Sequence, residues 1–255
     1  MRFLHTFGNL MQSTMAVAET VWKRVMDRTL GLVLLGGAAV LLALVLTSDL
    51  QTSDVRATLL LIQLFVTLLV IFIGTTEIPR DLATRNIQVF LAKPLSRGEY
   101  IFGKFTGLFV LAEMILVAYL ACLAVGLGVE GLFQPGELAQ GFVRITLQLI
   151  TLCALLVWLS VMLPEVAATV FGVTACIVSY LVFILPGLAS LLAPEWAHPF
   201  LLIFYYALPN GQHYLWNPEL GRSAQFLCLL ALYSVFYSLC ALTAASLWFR
   251  KRDLM

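Results

Sequence analysis

A phosphate-binding motif is the first chemistry that the sequence suggests. Gly98 to Lys104 reads G-x-x-x-x-G-K, the opening of the loop that cradles nucleotide phosphates. Phe105 follows where that motif requires Ser or Thr, and no strand is predicted before it. The chain also lacks the roughly 100 to 200 polar-surfaced residues of a nucleotide-binding domain. We therefore predict a non-catalytic chain, in which the glycines turn and pack the backbone and Lys104 marks the point where a helix enters lipid.

A second set of residues has metal-ligand chemistry. Glu195 and His198 form an E-x-x-H pair, and His213 is a third donor in the same region. Pro194 and Pro199 flank the pair and weaken the helix that it would need. Histidines beside aromatic residues are more often amphipathic anchors at a membrane interface. We therefore predict no metal and no cofactor of the chain's own.

The composition places these residues in a membrane. Of the 255 residues, 61% are hydrophobic and 11% are charged, with a mean hydropathy of +0.97, whereas a soluble domain usually has roughly 25% charged residues. The net charge of +1 gives no reason to expect a nucleic acid partner. The five cysteines lie in apolar runs without C-x-x-C spacing, which favours small buried hydrophobes over disulfides or a zinc site. No removable signal peptide is recognisable, so the first span is expected to direct insertion.

Six apolar runs are long enough to cross a bilayer, because a core about 30 Å thick needs roughly 20 helical residues. The fourth and fifth runs are nearly continuous, but one helix from Phe142 to Leu192 would be about 76 Å long. A tight reversal is therefore predicted at Leu163-Pro164-Glu165, where proline fits the first turn of the next helix. We predict an all-α polytopic membrane protein, a single transmembrane domain over residues 1–255, with spans at 30–47, 57–76, 105–128, 142–163, 166–192 and 223–249.

The positive charges predict the orientation of the chain. Twelve of the fifteen Lys and Arg residues fall on one side of these spans, against only Arg56, Arg144 and Arg222 on the other. Both termini are then cytoplasmic, and we expect the cytoplasmic (inner) membrane. Residues 11–28 mix apolar and basic residues at helical spacing, which predicts a helix in the membrane interface; the alternative is that they extend the first span. The aromatic-rich outer loop, residues 193–222, is a candidate for a re-entrant pair of short helices.

One cytoplasmic loop, residues 77–104, is long enough to build structure. Pro79 to Leu91 mixes charged and apolar residues and predicts a short amphipathic helix, which Lys93-Pro94 ends. Ser96 and Glu99 have the spacing of a capping box, so a new helix is predicted to start there and run into the third span. The loop is thus predicted to be a rigid lever joined to a span at each end. The alternative is an ordinary solvated, positively charged loop.

This loop resembles that of the membrane permease subunits of type 2 ATP-binding-cassette (ABC) exporters. In that family a glutamate after span two begins a loop that ends in K/T-P-[LVI]-S-R-x-x-[YF]-[LIV]-x-G-K, and residues 93–104 read KPLSRGEYIFGK. The predicted architecture is similar too, and it looks most like the subgroup associated with multicopper-enzyme maturation and gliding. The residues that carry the resemblance are Glu77, Lys93, Pro94, Ser96, Arg97, Glu99, Gly103 and Lys104.

The resemblance implies a partner that supplies the energy. A separate cytoplasmic ABC ATPase, in two copies, would bind and hydrolyse ATP, and a second permease copy or a paralogue would complete the membrane part among the lipids. Residues 80–90 would form a coupling helix seated in a cleft of the ATPase, with a lesser contact at the turn after span four. The coupling residues that it implies are Arg80, Asp81, Leu82, Arg85, Ile87, Val89, Phe90, Pro164 and Glu165.

Three functions are compared on this basis. The resemblance implies an exporter that moves a substrate out of the cytoplasm or the inner leaflet, and a membrane scaffold in an ATP-driven machine is the alternative. An ion-coupled carrier would need several intramembrane charges, yet only Glu113 is clearly intramembrane. Because a carboxylate at that depth is costly, Glu113 either lines the translocation path or a dimer seam, or makes a hydrogen bond between helices of one subunit.

Overall fold

The computed structural model describes residues 14–21, 23, 37, 52–83, 96–129, 135–182, 209–215 and 224–251. The predicted all-α class is confirmed, since no strand occurs within these ranges. Residues 14–21 are helical and are called the N-terminal segment. The later elements are α1 (Thr52–Ala83), α2 (Arg97–Val129), α3 (Pro135–Met162), α4 (Glu165–Leu181), a 3-10 helix (Gly211–Tyr214) and α5 (Ala224–Lys251).

Four of these helices, α1, α2, α3 and α5, are long and apolar enough to cross a membrane. A helix satisfies its own backbone hydrogen bonds, which a lipid core cannot do. The helices also expose large apolar side chains, such as Phe72 and Phe236, as lipid contact requires. These four helices contain the predicted spans 57–76, 105–128, most of 142–163 and most of 223–249. The predicted span 166–192 is described as a helix only over Glu165–Leu181, and the span 30–47 lies outside the described residues except for Gly37.

The helix before the predicted loop is longer than expected, whereas the helix after it begins at the predicted capping box. The predicted second span ends at Thr76, but α1 continues to Ala83 with Pro79 inside it. A proline inside a helix removes one backbone hydrogen bond. Contacts between the last turns of α1 and the first turns of α2, given below, stabilise this end of α1. Most of the predicted helix Pro79 to Leu91 lies outside the described residues, and its described part is the end of α1.

The reversal predicted between the fourth and fifth spans is confirmed. Helix α3 ends at Met162, and α4 begins at Glu165 with Pro164 as its N-cap. The Leu163 amide still donates to the Leu159 carbonyl at 2.9 Å, and the Ala168 amide donates to the Pro164 carbonyl at 2.8 Å. Proline suits the start of a helix because the first amides have no intrahelical partner.

Helix α3 is the centre of the bundle and packs against α1, α2, α4 and α5. Helix α5 is mostly exposed and packs chiefly on α3. Cys228 and Cys240 on α5 are therefore exposed, against the prediction of buried cysteines. Cys153 on α3 is fully buried as predicted, and Cys122 and Cys176 are partly buried. The end where α1 and α5 end and α2 begins is called the loop end. The opposite end, where the 3-10 helix lies against α3 and α4, is called the far end.

Candidate functional site

The start of α2 is fixed by the capping box that the sequence predicted. The Glu99 amide donates to the Ser96 hydroxyl oxygen at 3.2 Å, and the Ser96 amide donates to the Glu99 carboxylate at 2.8 Å. Two amides that would lack partners at a helix start are satisfied in this way. The helix therefore begins at a defined residue, which sets the direction of every later side chain in its first two turns.

A buried ion cluster connects the end of α1 to the start of α2. The Lys104 ammonium lies 2.7 Å from the Asp81 carboxylate and 2.9 Å from the Glu77 carboxylate. The Tyr100 hydroxyl donates to Asp81 at 2.9 Å. Each helix contributes two residues four positions apart, and that spacing places them on one helix face. These four residues are called the ion cluster.

The burial of the ion cluster overturns the expectation that Lys104 marks the lipid interface. Its side chain is 1% exposed, and those of Asp81 and Glu77 are 0% and 8% exposed. Charges removed from water need close partners of opposite sign. Two carboxylates supply such partners inside the protein, so Lys104 does not extend toward the membrane surface. Of the two glycines in the motif, Gly103 packs closely against the N-terminal segment, whereas a Cβ at Gly98 would meet nothing within 4 Å.

Arg97 connects the same region to α5. Its guanidinium donates from Nη1 to the carbonyls of Phe249 at 3.1 Å and Arg250 at 2.9 Å. The last carbonyls of a helix lack intrahelical partners and form the negative end of its dipole, so a guanidinium is a favourable partner. The Tyr100 ring also stacks on the Phe249 ring, with centroids 5.7 Å apart. The start of α2 therefore contacts the ends of both α1 and α5.

The N-terminal segment packs on α2 at two glycines. A Cβ atom added to Gly103 would lie 2.7 Å from the Cβ of Val17, and one added to Gly107 would lie 2.9 Å from the Cα of Ala18. Val17 is fully buried there. Glycine spacing of this kind was predicted to allow close helix approach, and it does so here. The ion cluster, Arg97, Gly103 and Gly107 together are called the junction.

The described part of the predicted interfacial helix has the expected ion pair. Lys23 and Glu19, four residues apart, approach to 2.6 Å. The hydrogen bond from Lys23 lowers the pKa of the Glu19 carboxyl below its usual value. Most of residues 22–28 lie outside the described residues, so the position of the whole helix in the interface stays a prediction.

The predicted coupling residues divide into three groups. Arg80 is exposed on the last turn of α1, and Pro164 and Glu165 are exposed at the same end of the bundle. Asp81 is fully buried in the ion cluster, and Leu82 packs partly buried against the core. The remaining coupling residues, Arg85, Ile87, Val89 and Phe90, lie outside the described ranges, as do Lys93 and Pro94 of the loop motif.

Glu113 makes a hydrogen bond between helices of one chain. The Thr146 hydroxyl on α3 donates to its Oε2 atom at 3.1 Å. Its Oε1 atom is buried and finds no hydrogen-bond donor within the described ranges. A structural bond is therefore present, and a further role in a path or a dimer seam stays a prediction.

The three candidate metal ligands are only partly described. Glu195 and His198 lie outside the described residues, and His213 packs edge-on against Phe226, with ring centroids 6.1 Å apart. Within the described ranges, no group of three His, Cys, Asp or Glu side chains could bind a metal ion. The prediction of a chain without a metal remains untested.

A second polar region lies toward the far end and was missed in the sequence. Gln148 on α3 donates from its amide to the Tyr180 hydroxyl on α4 at 2.7 Å. Gln63 on α1 donates to the Gln148 side-chain oxygen. The available signal was two glutamines inside otherwise apolar runs, since uncharged polar residues within spans usually make contacts between helices.

Comparison with known proteins identifies a family for most of the chain. The family model described as ABC-2 family transporter protein matches residues 47–254. No curated protein is similar enough to count as a match. The matched range includes α1 through α5 and therefore every residue of the junction.

Proposed function

We propose, on the premise that this chain belongs to the ABC-2 family of transporter proteins, that it is the permease subunit of an ABC exporter. The family is generally non-catalytic and normally works with a cytoplasmic ABC ATPase. The apolar helices fit a multi-pass membrane protein. By the distribution of Lys and Arg, we place the loop end and both termini in the cytoplasm.

The observation that carries this proposal is the buried ion cluster. It joins the end of α1 to the start of α2, the two helix ends that the segment 84–95 connects along the chain. Arg97 adds the end of α5 to the same unit. A force applied to the segment 84–95 would therefore move three helix ends together rather than bend one of them. Such rigid-body movement is a known way to transmit domain closure.

The exposed residues at the loop end indicate where the ATPase would bind. Arg80 is exposed on the last turn of α1, shortly before the segment 84–95 in the sequence, and Glu165 is exposed at the same end of the bundle. We assign docking to residues 80–90, with a lesser contact at Pro164 and Glu165. Asp81 receives a different role, since its carboxylate faces Lys104 inside the protein. It would position the docking segment without touching the ATPase.

The proposed cycle follows from these assignments. Two ATPase subunits close on ATP and push the docking segments of two permease copies. The junction then transfers this movement to α1, α2 and α5. A substrate in the cytoplasm or inner leaflet would be released on the other side of the membrane, and hydrolysis would reset the ATPase pair.

Charge reversal at the docking residues tests the assignment. The tagged chain is purified from its native membranes, and the co-purified ABC ATPase is quantified together with ATP hydrolysis. We expect the double variant Arg80→Glu with Arg85→Glu to lose at least nine-tenths of the bound ATPase and the hydrolysis that depends on the permease. Lys251→Glu is the control, because it reverses an exposed positive charge at the same end of the bundle. Wild-type binding and hydrolysis in the double variant would refute the docking site.

A further inference from the structure

A neutral polar cluster joins three helices inside the bundle. The Gln148 amide donates to the Tyr180 hydroxyl at 2.7 Å and to the Thr67 hydroxyl at 3.4 Å. Gln63 donates to the same glutamine from α1. The side chains of Gln63, Thr67 and Gln148 are all buried. Polar groups at membrane depth are costly compared with apolar ones, so their presence calls for a specific reason.

A small cavity lies beside this cluster. Its polar lining comes from Gln148, Thr151, Ser179 and Tyr214, and Cys176 also lines it. The space open to water-sized molecules is about 20 Å³, enough for one group the size of a water molecule. None of the described lining residues carries a charge. The cavity therefore offers hydrogen bonds without a counter-ion.

The hydroxyls of this lining are arranged as acceptors. The Thr151 hydroxyl donates its proton to the Gln148 carbonyl at 2.7 Å, and the Ser179 hydroxyl donates to the Cys176 carbonyl at 2.9 Å. Each hydroxyl has one proton but two lone pairs, so these oxygens still accept hydrogen bonds. A group that donates a hydrogen bond suits them, whereas an alkyl group would leave them unsatisfied.

The 3-10 helix covers the cavity from the far end. A Cβ atom added to Gly211 would lie 2.8 Å from the Tyr180 ring, so only glycine permits this approach. Gln212 donates to the Tyr180 carbonyl at 3.0 Å, and Tyr214 shares a 3.0 Å hydrogen bond with Ser234 on α5. Ser234 lies ten residues into α5, about 15 Å along the helix. Irregular backbone at such a depth is tolerated where it lines a cavity.

We propose that this cavity binds a neutral hydrogen-bond donor, the hydroxyl group of a larger molecule. The inference rests on the proposed function, because it names the chemical class of group that the exporter releases past this point. A cation could also donate hydrogen bonds, but the lining gives it no carboxylate, and an unpaired charge at this depth is far more costly than a hydroxyl.

The native cysteines provide the test. A variant that retains only Cys176, with the other four replaced by alanine, is purified in lipid nanodiscs without an ATPase. It is treated with 2-hydroxyethyl methanethiosulfonate, with the trimethylammonioethyl reagent and with the sulfonatoethyl reagent, and the modified fraction is followed by intact mass. The modification rate of the hydroxyethyl reagent is divided by that of each charged reagent, at Cys176 and at Cys240. We expect this ratio to be at least tenfold larger at Cys176 than at Cys240.

Two controls distinguish reaction in the cavity from reaction in lipid and from reaction during transient opening of the bundle. The variant with Cys240 alone has an exposed thiol on α5, so it measures how much the neutral reagent gains by entering lipid. The variant with Cys153 alone has a fully buried thiol on α3 and is expected to stay unmodified over the same time. An equal reagent ratio at Cys176 and Cys240 would overturn the proposal, as would a Cys176 that no reagent modifies.

A lining variant and a competitor test the hydrogen bonds themselves. Thr151→Val preserves the shape but removes one acceptor, and we expect it to slow the hydroxyethyl reagent at Cys176 about tenfold. In the unmutated cavity, 1 M glycerol should slow that reagent at Cys176 but not at Cys240. If glycerol has no effect at Cys176, the proposal fails even where Thr151→Val does not fold. Because no ATPase is present, this outcome is independent of the docking experiment.

Discussion

The junction at the loop end and the cavity in the middle of the bundle connect helices with different chemistry. In the junction, Lys104 bridges two buried carboxylates, and Tyr100 donates a hydrogen bond to one of them. Around the cavity, Gln148 makes its contacts with neutral amides and hydroxyls. A buried charge cannot leave its partner without a large free-energy cost, whereas a neutral group can exchange one hydrogen bond for another. The first arrangement suits the transfer of movement, and the second suits reversible binding.

The largest effect is expected when the junction loses its positive charge. Lys104→Met leaves the Glu77 and Asp81 carboxylates buried together, which we expect to lower the free energy of unfolding by about 3–5 kcal/mol. Thermal unfolding of the purified protein in detergent measures this change. A variant as stable as the wild type would show that the ion cluster is not a structural element.

Neutralising the whole ion cluster tests whether the loss in Lys104→Met comes from the unpaired carboxylates. Glu77→Gln, Asp81→Asn and Lys104→Met together remove the charges while preserving the side-chain volumes. Replacement of a complete buried ion cluster is often close to neutral for stability. We expect the triple variant to recover most of what Lys104→Met loses, and a triple variant at least as unstable as Lys104→Met would contradict the account.

The next effect comes from the packing of the N-terminal segment on the junction. Gly107→Ala places a Cβ 2.9 Å from the Cα of Ala18, and backbone at that distance cannot rotate away. Overpacking of this kind is expected to lower the free energy of unfolding by about 1–3 kcal/mol. Gly98→Ala is the matched control, because a Cβ there meets nothing within 4 Å. Equal shifts of the unfolding temperature in the two variants would show that the N-terminal segment does not pack against Gly107.

A smaller loss is expected at the neutral cluster. Gln148→Leu removes hydrogen bonds to Gln63 and Tyr180 but introduces no charge imbalance. Hydrogen bonds between membrane helices contribute about 0.6–1.7 kcal/mol, and we expect a loss of that size in thermal unfolding. A loss as large as that of Lys104→Met would remove the distinction between the junction and the neutral cluster.

The smallest effect is expected at the cap of α2. Ser96→Ala removes the side-chain acceptor of the Glu99 amide at an exposed position, so we expect a loss of about 0.5–1 kcal/mol. Ser96→Asp retains an acceptor and should recover the wild-type unfolding temperature. If both variants lose the same stability, the hydroxyl has a role other than capping.

Local patterns in the sequence predicted the helices better than the contacts between them. The capping box at Ser96 and the reversal at Pro164 depend on residues within four positions of each other, and both are confirmed. The burial of Lys104 depends on two carboxylates more than 20 residues away, so charge alone placed it at the membrane surface. The four-residue spacings of Glu77 with Asp81 and of Tyr100 with Lys104 were visible in the sequence. Only the antiparallel packing of α1 and α2 shows that they meet.

The cavity could not be predicted for a similar reason. Gln63, Gln148 and Tyr180 are scattered polar residues within mostly apolar runs. Their convergence requires the packing of α1, α3 and α4, which no spacing along the chain specifies. The outer loop is a candidate for a re-entrant pair of helices, and the 3-10 helix at Gly211–Tyr214 shows how its described part packs against α3 and α4.

The central claim is that the junction transmits movement and does not bind the ATPase. Its most direct test is the triple variant of Glu77, Asp81 and Lys104, purified with its ABC ATPase in nanodiscs, with bound ATPase and ATP hydrolysis measured on the same sample. We predict wild-type amounts of bound ATPase, with hydrolysis reduced to the rate of the ATPase alone. Full stimulation in the variant would contradict the claim, and so would loss of the bound ATPase, because that result would place the ion cluster in the docking surface.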